Sequence, residues 1–232
     1  MSEFPACDFS DTKGSSTSTF SDVAWSIFQT ASTGLAGFAH PSSDVRGAGG
    51  GSSIQLARRI LVLGSSGAGK THLSSRLAAI LGLEVIHLDD HFWQRGWRPR
   101  EEREWRKMVS EMVQRDSWIM DGTYENSLDL RIPHADAIIL LECHRLRCMG
   151  RVLRRQVDDW IRSRRDRLYK GPSRFDPDHI RYVWRYPTAT RPAVLAEIER
   201  HGRGKPVVVI DGPEGLAPFL SSLRADPYVS AA

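Results

Sequence analysis

The chain has 232 residues, of which 41% are hydrophobic and 26% charged, the mixture of an ordinary soluble globular protein with one large domain or two small ones. Its net charge of +4 suits an anionic ligand and excludes a chain dominated by nucleic-acid-binding charge. The cysteines, Cys7, Cys143 and Cys148, lack the paired spacing of a zinc site, so we expect reduced thiols and a cytoplasmic protein.

The first 57 residues predict a disordered tail. Ser, Thr, Gly and Ala dominate them, and their few large side chains would bury too little apolar surface to offset the cost of ordering the chain. An amphipathic segment at 23–38 that docks on a partner stays an open alternative. The first residues lack the pattern of a secretory signal, and polar residues interrupt the uncharged stretch 23–43, so we expect no membrane span.

Five short apolar runs, rich in Ile, Val and Leu, predict strands that are buried on both faces. They cover residues 59–63, 84–88, 117–121, 137–141 and 206–210, with helical patterns between them. One such pattern, after the fourth strand, is an apolar stripe of Leu146, Met149, Leu153, Val157 and Trp160. The alternation predicts an α/β domain over residues 58–225, with a five-stranded parallel sheet flanked by helices on both faces, and a flexible C-terminus at 226–232.

A glycine-rich loop at residues 64–71, between the first strand and its helix, carries the strongest functional signal. It matches the phosphate-binding pattern GxxxxGK[ST] at every fixed position. Glycines let backbone N–H groups turn inward around phosphate oxygens, and the following helix adds its unpaired N–H groups. We expect Lys70 to reach the β and γ phosphates and Thr71 to hold Mg²⁺. The predicted nucleotide-binding residues are Gly64, Ser65, Ser66, Gly67, Ala68, Gly69, Lys70, Thr71 and His72.

Acidic residues follow several predicted strands, and the carboxyl ends of parallel strands line the ligand crevice. We expect Asp121 to hold Mg²⁺ through a metal-bound water, with a simple Asp-Gly turn as the open alternative. Asp89 is a candidate to position an acceptor hydroxyl or accept its proton, with a structural role as the open alternative. The segment His91–Trp97 has two tryptophans and an arginine, a composition that suits a planar or sugar-like acceptor and equally a loop clamped to the core.

Residues 145–205 are strongly basic, with about 17 Arg and Lys against about 7 acids. Arginines on a mobile lid stabilise the negative charge of a transferring phosphoryl group, and we expect such a lid at about 156–175. A solvated basic face remains an alternative. A nucleic-acid-binding surface is a third, less favoured, interpretation, since Trp160, Tyr169, Tyr182 and Trp184 lie among the basic residues.

These motifs together resemble a known family. The segments RILVLGSSGAGKTHLSSRLA, VIHLDDHFWQRGWRP, WIMDGTY, ADAIILLECHRLRCMGRVLRR and WRYPTATRP are similar to the adenylate-kinase-related bacterial P-loop kinases often called DNA topology modulation proteins. The resemblance implies an adenylate-kinase-like P-loop fold with the loop strand at the sheet centre, ATP and Mg²⁺ as ligands, and Arg154 and Arg155 at the lid. Adenylate kinases follow the Asp-Gly with a proline and an AMP-binding arginine, whereas residues 123–125 are Thr-Tyr-Glu, so we do not expect AMP held in the usual way.

The leading hypothesis is an ATP-dependent phosphotransferase that moves the γ-phosphoryl group of ATP to an unidentified small acceptor. Its predicted catalytic residues are Lys70, Asp89, Asp121, Arg154 and Arg155. The alternative is an ATP-binding, DNA-topology-modulating or regulatory nucleic-acid-binding protein. A hydrolase switch would need a residue that orients water, which the sequence does not identify. The sequence does not indicate an oligomeric state.

Overall fold

The structure is a computed structural model that describes residues 54–166, 171 and 175–224. Nearly all of the predicted N-terminal tail, the predicted C-terminus 226–232 and most of 167–174 in the predicted lid lie outside these residues. The described chain contains no helix that is both long and apolar enough to cross a bilayer.

A five-stranded parallel sheet lies at the centre of the described chain. The described residues form seven strands, five of them in this sheet. The strands are β1 (Arg59–Gly64), β2 (Val85–His87), β3 (Trp93–Gln94), β4 (Arg98–Pro99), β5 (Trp118–Asp121), β6 (Ala137–Glu142) and β7 (Val207–Asp211). The sheet order is β2-β5-β1-β6-β7, with all neighbours parallel. β3 and β4 form a separate antiparallel hairpin, which the sequence analysis did not predict. The five-stranded parallel sheet is confirmed, and so is the central position of the strand before the glycine-rich loop.

Helices cover both faces of the sheet, as predicted. They are α1 (Lys70–Leu81), α2 (Leu88–Phe92), α3 (Glu102–Met112), α4 (Leu128–Arg131), α5 (Arg145–Arg165), α6 (Pro177–Arg185), α7 (Thr190–His201) and α8 (Gly212–Arg224). Successive residues of a strand point to opposite faces, so Leu61 joins a core with α3, α4 and α7, whereas Val62 joins one with α1, α5, α6 and α8.

The core extends beyond the predicted N-terminal boundary. Ile54 is fully buried and Ala57 is 7% exposed, and both pack in the core on the α1 side. The side chain of Gln55 also donates a hydrogen bond to the carbonyl oxygen of Leu223 at 2.9 Å. The packed domain therefore includes residue 54, four residues before the boundary that the composition indicated.

α5 buries a face that only partly coincides with the predicted stripe, of which Met149 packs against the core. Leu146 and Trp160 of the predicted stripe are 59% and 46% exposed, whereas the buried residues are Cys148, Val152 and Gln156. These three recur every four residues and therefore share one face. The predicted stripe consists of the largest apolar side chains of the helix. The buried face instead packs against the glycine-rich loop, where there is little space for large side chains.

Candidate functional site

The glycine-rich loop connects β1 to α1 and has the backbone of an anion-binding turn. Three of its glycines have positive φ angles, 143° at Gly64, 80° at Gly67 and 110° at Gly69, a region that other residues rarely adopt. Gly69 is the N-cap of α1, and among the described residues no side chain caps this helix. The N–H groups of its first turn and the positive end of its dipole are therefore suited to an anion.

α5 lies so close to the loop that Gly67 has no room for a side chain. A Cβ atom there would lie 2.5 Å from the carbonyl oxygen of Cys148 and 3.1 Å from the side chain of Val152. Both neighbours are small residues, which is why this face of α5 can approach the loop backbone.

We expect Gly67→Ala to lower the free energy of unfolding by about 2 to 4 kcal/mol, because its methyl group meets backbone atoms at a positive φ angle. Gly150→Ala is the matched control. Gly150 lies inside α5, and apart from its chain neighbours and the backbone of its own helix no atom of the described residues lies within 4 Å of its Cβ position, so alanine should stabilise by up to about 1 kcal/mol. Urea unfolding measures both. Equal stability of the two variants would contradict the close packing of loop and helix.

Lys70 folds back over the loop. Its ammonium donates hydrogen bonds to the carbonyl oxygens of Gly64 at 2.8 Å and Ser65 at 3.0 Å. An ammonium has three donors, so the described residues leave one for a ligand. Burial lowers the pKa of Lys70, while the negative charges of Asp89 and Asp121 oppose this change. The lysine therefore lies in the field of both predicted acidic site residues.

The loop is held from two sides. The Thr123 hydroxyl donates to the carbonyl oxygen of Gly64 at 2.7 Å and accepts from its N–H at 3.3 Å. The Arg151 guanidinium, on α5, donates to the carbonyl oxygens of Gly67 at 3.0 Å and Ala68 at 3.2 Å. These bonds fix the loop before any ligand binds, which reduces the ordering cost of binding. The sequence analysis assigned neither residue to the loop.

Asp121 ends β5 beside the start of the loop, because its backbone is in register with Val62 of β1. It is 5% exposed, and its Oδ1 lies 3.0 Å from Nδ1 of His87 at the end of β2. Its Oδ2 is buried with no hydrogen-bond partner among the described residues. A buried acceptor without a partner costs about 1 to 3 kcal/mol, so this oxygen needs a water or a ligand as the partner that the described residues do not supply.

These residues fit Mg²⁺. The unpartnered Oδ2 of Asp121 is suited to accept a hydrogen bond from a metal-bound water, and Thr71 is exposed in the first turn of α1. The described residues contain no group of three or more His, Cys, Asp or Glu that could hold a metal. Mg²⁺ commonly binds through one or two protein oxygens together with water and nucleotide phosphates, so such a group is not required.

Asp89 is held by Tyr124. The Tyr124 hydroxyl donates to Oδ1 of Asp89 at 2.5 Å, and Asp89 is itself exposed in α2. Burial raises the pKa of Tyr124, and the charge of Asp89 raises it further, so the phenol keeps its proton. Tyr124 has a φ of 34° and thus a constrained backbone. Its hydroxyl fixes the Asp89 carboxylate.

Arg131 supports the segment that carries Thr123 and Tyr124. It is fully buried and donates hydrogen bonds to the carbonyl oxygens of Gly122 at 2.8 Å, Tyr124 at 2.9 Å, Ser127 at 3.3 Å and Thr123. Burial lowers its pKa to about 10, so it stays charged at neutral pH. The sequence analysis missed Arg131 because its partners are backbone atoms, which leave no pattern in the sequence.

An aromatic cluster adjoins Asp89 and consists of Phe92, Trp93, Trp97, Trp105 and Tyr124. Phe92 is at its centre, with ring centroids 5.1 Å from those of Trp93 and Trp105 and 4.8 Å from that of Tyr124. Trp97 is 5.7 Å from Trp93 and 42% exposed. Trp93 therefore helps to clamp the segment to the core, and Trp97 presents part of its ring to solvent.

The two predicted lid arginines have different surroundings. The charge of Arg155 lowers the pKa of both Lys70 and His179, so its field reaches the glycine-rich loop. The Arg154 side chain is 86% exposed and its closest described ion pair is with Asp158, at 4.0 Å.

His179 is a further residue at the loop that the sequence analysis missed. It lies in the first turn of α6, and its Nε2 is 2.9 Å from the hydroxyl oxygen of Ser66. The preceding Asp176-Pro177 has the composition of a helix start and would have predicted α6.

Two of the predicted aromatic residues in the basic region stack with arginines of the same chain. The Arg145 guanidinium lies 4.2 Å from the ring centroid of Trp184, and that of Arg164 lies 5.1 Å from Trp160. Tyr169 lies outside the described residues.

The chain is similar to solved structures of kinases, at low identity. A shikimate kinase from Bacteroides thetaiotaomicron is 15% identical, over 72% of this chain and 96% of that one, with a TM-score of 0.42. A shikimate kinase from Acinetobacter baumannii in complex with shikimate is 13% identical, over 75% and 94%, with a TM-score of 0.45. A sugar kinase from Janibacter sp. is 19% identical, over 74% and 97%, with a TM-score of 0.41.

No known protein family and no curated protein matches the chain. The chain has an α/β P-loop fold, on the evidence of its own sheet order and loop. The TM-scores of the solved structures are too low to carry an argument about function. The finer resemblance to the DNA topology modulation proteins stays a prediction.

Proposed function

We propose that the chain is an ATP-dependent phosphotransferase that moves the γ-phosphoryl group of ATP to a hydroxyl group of a small acceptor near Asp89. The observation that supports this most strongly is the arrangement of the glycine-rich loop, the Lys70 ammonium inside it, and the buried, unpartnered Oδ2 of Asp121 beside it. A loop of this kind binds phosphate, and the carboxylate oxygen gives a reason for a metal.

In this proposal the backbone N–H groups of the loop and of the first turn of α1 bind the triphosphate, and Lys70 contacts its β and γ phosphates. Thr71 and Asp121 hold Mg²⁺, Asp121 through water, with His87 orienting the carboxylate. When bound, Mg²⁺ supplies positive charge that neutralises the phosphate oxygens. Arg155 stabilises the charge that develops on the transferring group.

Asp89 positions the acceptor. Its Oδ1 accepts from Tyr124, and the exposed carboxylate can accept the acceptor hydroxyl proton through Oδ2. The acceptor oxygen forms a bond to the γ phosphorus while the bond to the β-γ bridging oxygen breaks, and ADP carries away that bonding pair. The guanidinium of Arg131 donates its hydrogen bonds to carbonyl oxygens, so Arg131 does not bind a phosphate group of the acceptor. This favours an acceptor that is bound through its hydroxyl groups and packs one face on Trp97.

We expect Asp89→Asn to lower kcat by about a hundredfold or more, because the amide cannot accept the hydroxyl proton, and to leave ATP affinity within about threefold of wild type. The measurement is coupled ADP release across a panel of nucleosides, nucleotides and sugars. Asp90→Asn, an exposed position in the same helix, is the matched control and should keep wild-type turnover. If wild-type protein binds ATP but every acceptor leaves ADP release at the acceptor-free rate, the phosphotransferase proposal is wrong.

A further inference from the structure

α6, which lies far from the glycine-rich loop in the sequence, places His179 against that loop. His179 Nε2 lies 2.9 Å from the hydroxyl oxygen of Ser66, although the two residues are 113 positions apart in the sequence. The ring also contacts Tyr182 edge-on, with centroids 6.5 Å apart. The contact therefore joins α6, which follows the predicted lid, to the loop.

The backbone of His179 is fixed by two further residues. Asp176 caps α6, and its carboxylate accepts from the N–H groups of Asp178 and His179, both at 3.0 Å. The buried Gln156 of α5 bonds Asp176 in both directions, donating to its carbonyl oxygen at 3.2 Å and accepting from its N–H at 3.1 Å. Because its backbone is held in this way, the His179 side chain keeps its position relative to α5 and to the loop.

The surroundings of His179 contain charges of both signs. Burial lowers its pKa, and the positive charges of Arg155 on α5 and Lys70 on α1 lower it further. Asp176 at the start of α6 and Asp89 on α2 oppose this change. The ring is therefore mainly neutral in the nucleotide-free protein at neutral pH, and it lies near both the predicted phosphate-binding lysine and the predicted acceptor carboxylate.

We propose that His179 senses the terminal phosphate of the bound nucleotide: it bonds Ser66 in the free protein and donates a hydrogen bond to the γ phosphate when a nucleoside triphosphate occupies the loop. This inference rests on the proposed function, since it takes the loop to be the triphosphate site. The loop wraps around the triphosphate, so a ring that already reaches a loop hydroxyl needs only a small rotation to reach a phosphate oxygen.

A consequence is that ATP binding is linked to proton uptake. An anion close to an imidazole favours its charged form and raises its pKa. His179 titrates below the ordinary histidine pKa in the free protein and higher in the complex. Affinity is therefore highest at pH values below the free-state pKa and falls by up to about tenfold per pH unit between the two pKa values. At pH values above both pKa values, the affinity is constant. ADP, which lacks the γ phosphate, should show a smaller dependence.

The test compares Mg·ATP and Mg·ADP dissociation constants of the full chain from pH 5.5 to 8.0 for wild type and for His179→Gln, which keeps an N–H donor but does not titrate. We expect wild-type affinity for ATP to fall about tenfold more than that of the variant over this range, and the ADP curves to differ less. His201→Gln, which changes a histidine paired with Glu197 on α7, is the matched control and should follow wild type. Titration of the nucleotide itself is common to all three proteins and cancels.

An NMR titration of the His179 ring in wild-type protein needs no variant and covers the case in which the substitution disturbs folding. We expect its pKa to rise when Mg·ATP is added. An unchanged ring pKa, or identical pH profiles for wild type and His179→Gln, would overturn the sensing role alone. Failure of wild-type protein to bind any nucleotide would overturn the proposed function as well, so the two failures are distinguishable.

Discussion

Lys70→Ala is expected to lower kcat/KM for phosphotransfer by about a hundredfold or more. Its ammonium is the positive charge inside the glycine-rich loop, bonded to the carbonyl oxygens of Gly64 and Ser65. In the proposed reaction it contacts phosphate oxygens whose negative charge grows in the transition state, and removing one such donor typically costs about 100- to 1000-fold. Burial lowers the pKa of Lys70, and the negative charges of Asp89 and Asp121 oppose this change.

The same substitution should leave the fold intact. Gly64 keeps its bond from the Thr123 hydroxyl, and the variant loses an ammonium that is partly buried and therefore costly to desolvate. We therefore expect the free energy of unfolding to change by about 1 kcal/mol or less. Lys107→Ala, an exposed position on α3, is the matched control and should retain wild-type turnover and stability. Turnover of Lys70→Ala within a few-fold of wild type would contradict the assigned role.

Arg131→Met is expected to lower the free energy of unfolding by about 3 to 5 kcal/mol. Methionine has a similar length but no donor, so the carbonyl oxygens of residues 122–124 and 127 lose the hydrogen bonds from Arg131. The Tyr124 oxygen keeps its bonds from Ser127, and each buried oxygen left without a partner costs about 1 to 3 kcal/mol before relaxation. This segment positions both Thr123 and Tyr124. We therefore expect loop support and the Asp89 carboxylate to be disturbed together, with activity lost at temperatures where the variant is still folded.

Urea unfolding of Arg131→Met beside Arg115→Met measures this effect. Arg115 is about half exposed and pairs with Glu84 at 3.3 Å, so its loss should cost about 1 kcal/mol or less. The two variants remove the same charge from the chain, and only the first removes buried hydrogen bonds. Similar midpoints for both would show that Arg131 does not hold the segment.

The parts of the fold and site that the sequence predicted depend on neighbouring residues or on general rules of parallel sheets. The glycine-rich loop is encoded within eight consecutive residues, so its pattern is visible without any tertiary contact. The position of Asp121 beside the loop follows because parallel strands end at one edge of the sheet, and its register with Val62 confirms this.

The parts that were missed depend on contacts between distant segments. Ser66 and His179 meet across 113 positions, and Arg131 bonds backbone atoms whose positions exist only in the folded chain. The buried face of α5 was predicted only in part for the same reason: Met149 packs against the core as expected, but packing against Gly67 selects the small Cys148 over the larger Leu146. Where a helix packs against the backbone of a glycine, the size of an apolar side chain therefore does not predict whether it is buried.

Calorimetric titration of purified protein with ATP, in the presence and absence of Mg²⁺, tests the nucleotide site most directly. We expect saturable one-to-one binding with a Kd below about 1 mM in the presence of Mg²⁺, weaker binding without it, and a further loss in Lys70→Ala but not in Lys107→Ala. Absence of saturable binding by wild-type protein at millimolar nucleotide, or equal affinity for the two lysine variants, would contradict a triphosphate site at residues 64–71.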